Sequence, residues 1–362
     1  MNEYFINCDW GTTRFRLRLV NGATGDTLAR LRSDDGVAAL ALRASGEDRA
    51  ALFRDTLRKH RQTLGGQTDM DLSRIPVVIS GMAGSSIGWR ELPYADLPFS
   101  LDANDALWQD LNDNNDHRQA EPQNGRGDDS HAESVFLISG LRSATDVMRG
   151  EEIQAIGVAQ LPQISPLMSN AVILLPGTHS KHIEVLDRRI VDFHTHMTGE
   201  LYHLFRHHGS LQHSTETSSI QDDEPLPLSG PMLEAFCEGL DQSKKAPLAA
   251  NLFRVRSRQL LDACEPTSNS AFLSGLLIGS EILALRHQWP GERRLVLCAG
   301  RRLSEPYEIA FEALCPNSEL TIVPPADVAR LSAIGQAVAY KRIRSMVRRG
   351  CTQRDSCRVA DV

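Results

Sequence analysis

The chain has few devices that hold a fold together from outside its core. Its seven cysteines, an odd number, are scattered through 362 residues without a CxxC pair. That excludes a disulfide frame and suits reduced thiols in a cytoplasmic protein. Positive charge is not in excess: the net charge is -7, the wrong sign for non-specific binding to nucleic acid. Long hydrophobic runs are scarce as well. The most apolar window, residues 271–285, is cut by Ser274, Ser280 and Glu281 and is too short to cross a bilayer, so no membrane partner is expected. The first residues, with Asn2 and Glu3 and no apolar core, do not read as a secretory leader. Neither G-x-x-x-x-G-K-[ST] nor G-x-G-x-x-G occurs, so no P-loop or Rossmann fingerprint competes. What is present is ordinary globular material, 41% hydrophobic and 23% charged, long enough for two domains at ~150 residues each.

Periodicity sets out the elements. A strand over 4–8 is followed by one in which Phe15, Leu17 and Leu19 alternate with Arg14, Arg16 and Arg18, the period of a half-buried strand. Turn chemistry at Asn21-Gly22 and Gly25-Asp26 precedes a third strand near 27–32. A helix over 47–64, a buried strand over 75–80, a Gly-rich loop, a helical stretch, a strand over 134–139 and a helix from about 150 to 161 complete the first half. From Asn170 the order restarts: a strand over 171–175, a hairpin of 182–186 and 190–194, helices near 199–208, 231–240, 247–262 and 268–288, a strand over 294–298, a helix over 304–314, a strand over 319–323 and a long helix over 326–348. Both halves read β-β-β-α-β-α-β-α. The predicted fold is therefore α/β: two ribonuclease-H-like domains, of the actin-like ATPase kind, flanking an ATP and substrate cleft. The boundaries are 1–165, with a polar, mobile insertion at 112–134, and 166–362, with a helical insertion at 199–290 and a last helix crossing back. A second polar stretch lies at 213–224, and the tail after Met346 is basic.

Each half has a Gly-Thr turn directly after its first strand. In Asp9-Trp10-Gly11-Thr12-Thr13 the glycine lets backbone N–H groups approach a phosphate, and Thr12 and Thr13 add neutral donors. Asp9, at the strand end, suits Mg²⁺ or its waters, because hard cations take carboxylate oxygens. Alone, the motif is equally an ordinary turn with a capping aspartate. The second turn, Pro176-Gly177-Thr178-His179-Ser180-Lys181, favours the reading in which two such turns clamp a triphosphate, with Lys181 near the phosphates. Gly300, between a strand and a helix, would let adenine approach the backbone or is a simple turn. Gly335, inside the last helix, indicates close packing or a hinge. Arg149, Glu151 and Glu152 open a helix; one acid serves the helix dipole, and the set can supply a general base and a guanidinium for phosphoryl transfer to an alcohol. The loop 81–94 is polar and aromatic, a natural substrate site. Its G-x-S-x-G around Ser86 does not sit on the strand-to-helix turn that a hydrolase nucleophile requires. His194 and His196 share a strand face but have no third ligand at zinc spacing.

At "DWGTT" (9–13), "SGMAGSSIGWRELPY" (80–94), "MRGEEIQAIG" (148–157), "LPGTHSKHIEV" (175–185), "MTGELYHLF" (197–205) and "FLSGLLIGSEI" (272–282) the sequence resembles the 2-dehydro-3-deoxygalactonokinases of the sugar kinase, actin and Hsp70 superfamily. The segments recur in order over most of the chain. The resemblance implies ATP- and Mg²⁺-dependent phosphorylation of the 6-hydroxyl of 2-dehydro-3-deoxy-D-galactonate by a cytoplasmic enzyme. It implies a first phosphate loop of Asp9, Gly11, Thr12 and Thr13, and a second of Gly177, Thr178, His179, Ser180 and Lys181 with Thr195 and Thr198. Gly84, Ser85, Trp89, Arg90 and Tyr94 would face the sugar acid, with Arg90 and Ser85 on its carboxylate. His182 stands where the family usually has Trp. A kinase for another sugar acid and a non-catalytic ATP- or sugar-binding regulator are the alternatives. Association into homo-oligomers is left open.

Overall fold

The structure, a computed structural model, describes residues 4–44, 49–111, 134–215, 228–289 and 293–348. Nearly all of 112–134, most of 213–224 and the basic tail lie outside the described residues. The chain divides into two compact units. One contains residues up to 166, residues 188–191 and residues from 330 onward; the other contains 167–187 and 192–329.

The first unit begins with β1 (Tyr4–Trp10), β2 (Phe15–Asn21) and β3 (Thr27–Ser33). β2 alternates as its arginines require, with Phe15, Leu17 and Leu19 buried and Arg16 and Arg18 only half-buried. Helices α1 (Val37–Arg43) and α2 (Arg49–Gly65) lead to β4 (Val77–Gly81), buried throughout. Four short strands, β5 (Ala95–Asp96), β6 (Phe99–Ser100), β7 (Trp108–Asp110) and β8 (Val135–Ile138), are followed by β9 (Leu141–Arg142), β10 (Val147–Met148) and α3 (Glu151–Val158). The sheet order is β3-β2-β1-β4-β8-β7. β1 runs antiparallel to β2 and parallel to β4, which is parallel to β8. The core gathers Trp10, Phe15 and Ile79 from the sheet and Phe53, Leu57 and Leu64 from α2. The helical stretch expected after the Gly-rich loop is corrected. The described residues from 82 to 111 form a 3-10 turn and short strands, because Pro93 and Pro98 each remove a helix donor and clash with the preceding turn. The helix α1 was not anticipated.

In the second unit, β11 (Asn170–Leu175), β12 (Ser180–Leu186) and β13 (Arg189–His196) precede α4 (Thr198–His207), α5 (Pro231–Ser243), α6 (Leu248–Leu252), α7 (Arg254–Asp262) and α8 (Pro266–Gln288). Then come β14 (Arg294–Leu297), α9 (Arg301–Leu314), β15 (Leu320–Ile322) and α10 (Pro325–Val328). The order is β15-β14-β11-β12-β13, with β11 antiparallel to β12 and parallel to β14. This repeats the order and sense of the first unit's β8-β4-β1-β2-β3, so both units are ribonuclease-H-like. The helix expected over 247–262 is two helices meeting at Phe253, where Arg256 N–H bonds to the Phe253 carbonyl three residues back (3.0 Å) and tightens the turn. α8 is long and apolar enough to cross a membrane, but 78% of its most apolar window is buried within the protein. There Phe272, Leu276 and Ile282 pack with Phe236 and Leu240 of α5.

The last helix, α11 (Leu331–Arg348), belongs to the first unit. Gln336 Nε2 donates to the Cys8 carbonyl (3.0 Å) and to Ser80 Oγ (2.9 Å), bracing β1 against β4. A Cβ on Gly335 would stand 1.9 Å from the Ile153 carbonyl oxygen of α3, so α3 and α11 cross backbone against backbone. Gly335→Ala is therefore expected to force these helices apart at a cost of about 1–3 kcal/mol. The measurement is thermal unfolding, with a fall of roughly 2–4 °C per kcal/mol; an unchanged melting temperature would mean that the crossing yields freely.

Candidate active site

The two hairpin turns after β1 and β11 occupy the same place in the same topology, and each is braced in the same way. In the first unit Gly11 N–H bonds to the Arg14 carbonyl (2.9 Å), closing the turn. The start of α1 then docks on it: Val37 N–H donates to the Gly11 carbonyl (3.0 Å) and Ala38 N–H to the Thr12 carbonyl (3.0 Å). A Cβ on Gly36 would lie 2.3 Å from the Thr13 carbonyl carbon. In the second unit Glu200 N–H donates to the Thr178 carbonyl (2.9 Å), and a Cβ on Gly199 would lie 2.4 Å from the Gly177 carbonyl oxygen. In both cases a glycine at the helix start leaves room for backbone to lie on backbone. Gly36 and Gly199 were not singled out from the sequence. The signal was present in the T-G-E of 198–200, but a glycine at a helix start is too common to read alone.

Around the first turn, Thr12 and Thr13 are exposed. Asp9, half-buried at the end of β1, accepts from Arg16 Nη1 at 3.0 Å. Beside it β4 ends at Gly81, whose positive φ (95°) and a virtual Cβ 2.7 Å from the Trp10 carbonyl oxygen admit no side chain. Gly150, also at positive φ (109°), presses on Gly81, its virtual Cβ 3.4 Å from the Gly81 Cα. The ends of β1 and β4 and the start of α3 thus converge, which brings the Arg149, Glu151 and Glu152 backbone up to the strand end that carries Asp9.

The acids are not equivalent. Glu151 is half-buried, and its Oε2 accepts from Arg149 N–H (3.1 Å). Glu152 is 1% exposed, and both its oxygens lie on Gly150 N–H (2.8 and 3.0 Å). Burial above all, with the neighbouring Glu151 charge, pushes its carboxyl up to about 8 despite those bonds. Glu152 thus favours its protonated form at neutral pH and lies on the N–H that precedes its own helix. Arg149 Nη2 donates to the Leu92 carbonyl (2.8 Å), and the guanidinium lies over the Tyr94 ring at 3.9 Å. Its Nε and Nη1 are buried without a hydrogen-bond partner. A Cβ on Gly84 would meet Nη1 at 3.0 Å, so Gly84 makes space for this arginine. In the same loop Arg90 is exposed. Two residues expected at the substrate also have partners within the protein. The Trp89 ring packs with Trp10 and Phe53 in the core, at 6.2 and 6.4 Å between centroids, and Ser85 Oγ donates to the Met82 carbonyl of its own turn (2.8 Å).

In the second unit Thr178 and His179 are exposed, and His179 Nε2 meets the Glu200 carboxylate. A Cβ on Gly177 or on Gly300 would meet nothing within 4 Å, so the protein's own packing does not require glycine at either place. Thr195 is half-buried on β13. Lys181 is only 4% exposed, on β12 behind the turn. Thr198, first in α4, donates to the Glu281 carboxylate, which is buried in α8 and also takes Tyr307 OH (2.8 Å) and His182 Nε2 (3.0 Å). His194 lies beside Trp289 and His196 beside His182.

Two ribonuclease-H-like units with braced turns after their first strands define the sugar kinase and actin-like ATPase class. Within it, the family model described as DGOK, 2-keto-3-deoxy-galactonokinase, matches residues 9–332. The chain is 30% identical over 344 residues to the 2-dehydro-3-deoxygalactonokinase of Escherichia coli (strain K12), covering 94% of this chain and 100% of that protein. It is 30% identical to the Rhizobium meliloti (strain 1021) protein named "Probable 2-dehydro-3-deoxygalactonokinase DgoK1", covering 92% of this chain and 97% of the other. A crystal structure from Sinorhizobium meliloti bearing the same family name superposes with a TM-score of 0.68 at 27% identity, covering 92% of this chain and 95% of that one. The chain belongs to the 2-keto-3-deoxy-galactonokinase family, sugar-acid kinases of galactonate catabolism.

The Glu152 assignment has a consequence for stability. Its folded pKa, about 8, lies above the ordinary 4.5, so below pH 4.5 both the folded and unfolded chains carry the proton and its contribution is complete. As pH rises to 8 the unfolded chain releases the proton and the folded chain keeps it, so stability falls, by up to ~1.4 kcal/mol per pH unit. Glu152→Gln should remove that decline, gaining on the wild type steadily from pH 4.5 to 8 in urea unfolding. A difference independent of pH would contradict the assignment.

Proposed function

We propose that the chain transfers the terminal phosphoryl group of ATP to the 6-hydroxyl of 2-dehydro-3-deoxy-D-galactonate, as a cytoplasmic enzyme. The observation that carries this reading is the pair of topologically equivalent turns, each backed by the start of a helix, one next to Asp9 and one in the motif Pro176–Ser180. In the second unit Gly177 shapes the turn, its N–H given to Ser180 Oγ, while Thr178 and His179, with Thr195 and the N-terminus of α4, hold phosphate oxygens, and Gly300 receives the adenine. In the first unit Asp9, Thr12 and Thr13 provide an all-oxygen donor set, which fits Mg²⁺: this ion completes its shell with phosphate and water and needs only one or two carboxylates. When bound, the ion offsets charge on the phosphate oxygens.

Glu151 takes the proton of the acceptor hydroxyl, because the neutral, capped Glu152 has no capacity left for it. Arg149 shapes the loop through Leu92 and Tyr94 and keeps Nε and Nη1 for oxygens of the bound substrates, and the exposed Arg90 meets the substrate carboxylate with the paired donors of a guanidinium. Phosphoryl transfer needs little beyond this positioning and charge compensation.

The direct test is a coupled ADP-release assay over 2-keto-3-deoxy sugar acids, the parent aldonates and neutral hexoses. Turnover should be highest with 2-dehydro-3-deoxy-D-galactonate; a preference for a neutral hexose would overturn the substrate reading. Asp9→Asn and Glu151→Gln should each fold and lose on the order of 10²–10⁴ in rate, whereas Glu152→Gln should stay within a few-fold. Near-normal turnover in folded Asp9→Asn rules out its role.

For the carboxylate contact, Arg90→Ala should raise the Michaelis constant of the sugar acid about tenfold, in line with ~1.5–3 kcal/mol for a hydrogen bond to a charged group. The constant for ATP should barely move. Equal losses for both substrates would remove Arg90 from the acceptor site.

A further inference from the structure

The buried acid Glu281 has no place in the chemistry above, yet it is tied to the second turn from several sides. It sits in the middle of α8, 3% exposed, among alanine, leucine and phenylalanine side chains that would fill the same core at no desolvation cost. Its carboxylate takes three donors from three different elements: Thr198 Oγ1 at the start of α4, His182 Nε2 on β12 (3.0 Å) and Tyr307 OH on α9 (2.8 Å). Tyr307 OH in turn lies 3.3 Å from Ser180 Oγ, and Ser180 Oγ accepts the Gly177 N–H (3.3 Å). All of these residues belong to the second unit.

Proton bookkeeping gives the chain a direction. Burial alone would raise the Glu281 carboxyl, but the bonds from His182, Thr198 and Tyr307 and the nearby His182 charge bring it below the ordinary carboxylate range. Ionised, it can only accept. Burial, with the Glu281 charge, pushes the Tyr307 phenol well up, so Tyr307 keeps its proton and points it at Glu281. The Tyr307 oxygen is then left to accept from Ser180, and the Ser180 oxygen to accept from Gly177. Thr198 likewise spends its hydroxyl proton on Glu281. Neither hydroxyl has a proton left for a phosphate, which reassigns both from ligand donors to struts of the turn. The phosphate donors that remain are backbone N–H groups of the turn and of the α4 start, and the exposed Thr178 hydroxyl.

We propose that Glu281 is a positioning residue of the kinase. Through Thr198 on one side and Tyr307–Ser180 on the other, it fixes the Gly177–Ser180 turn in the shape that presents its backbone N–H groups to the nucleotide phosphates. The proposal rests on the reading of that turn as a phosphate site. Its effect is on nucleotide affinity, and it leaves acceptor binding alone, because all of these residues belong to the second unit and the sugar-acid loop to the first.

The test uses the full chain, with calorimetric binding of AMP-PNP and Mg²⁺ alongside steady-state kinetics. Tyr307→Phe keeps the ring and deletes the one hydroxyl linking Ser180 to Glu281. It should fold, weaken AMP-PNP binding and raise the Michaelis constant for ATP about five- to tenfold, and leave the constant for the sugar acid within twofold. Glu281→Gln should act in the same direction and more strongly; if it does not fold, Tyr307→Phe and Thr198→Val carry the test. A purely structural role would lower the melting temperature and leave nucleotide affinity of the folded variants unchanged, and that result overturns the proposal. Failure of the wild type itself to bind AMP-PNP would instead sink the phosphate-site reading together with this one.

Discussion

Backbone lying directly on backbone is the constraint on which both sites depend. Each turn spends one N–H on itself, Gly11 on Arg14 and Gly177 on Ser180, so it needs a support that does not compete for the others. Here the support comes from behind, through carbonyls: the α1 start takes the Gly11 and Thr12 carbonyls, and the α4 start takes that of Thr178. A side chain at Gly36 or Gly199 would lift the helix off the turn, and the N–H groups on the far side would lose their aim. Rigid support with free donors is the arrangement that anion recognition at a backbone turn requires.

The buried acids divide along the same line. Glu152, met only by backbone N–H groups, its own and that of Gly150, is pushed toward the neutral form by burial. Glu281, met by a threonine, a histidine and a tyrosine, keeps its charge in an equally dry place. The difference lies in the number and kind of donors, since a buried carboxylate is stable only when its lone pairs are filled. One acid therefore secures the start of a helix, and the other sets the direction of a hydrogen-bond chain.

Much of the architecture was legible in the sequence because it is written in alternation and punctuation. The Arg–Phe–Leu alternation of β2, the apolar runs of β4 and β11, and the Gly-Thr turns after the first strands are all local signals, and they place the strands of both units in a recognisable order. The helical stretch expected between the Gly-rich loop and the strand at 134–139 is absent from the described residues up to 111, where short strands run instead. The resemblance placed Trp89 at the sugar acid, and what the sequence did not show is that its ring also packs on Trp10 and Phe53, far away in the chain. The inequality of Glu151 and Glu152, and the role of Glu281, depend on which neighbours fold over them. No window of sequence carries that.

The place of α11 also bears on how the molecule is made. This helix fills the first unit, with Gln336 bridging Cys8 and Ser80 and Gly335 lying in the groove of α3, yet it is synthesised after the whole of the second unit. At the usual ribosomal pace of ~5–20 residues per second, the first unit waits roughly ten to forty seconds with its α11 groove open. During that interval the second unit, nearly continuous in the chain, can close its own core. The earliest part of the protein to leave the ribosome is thus the last to be complete.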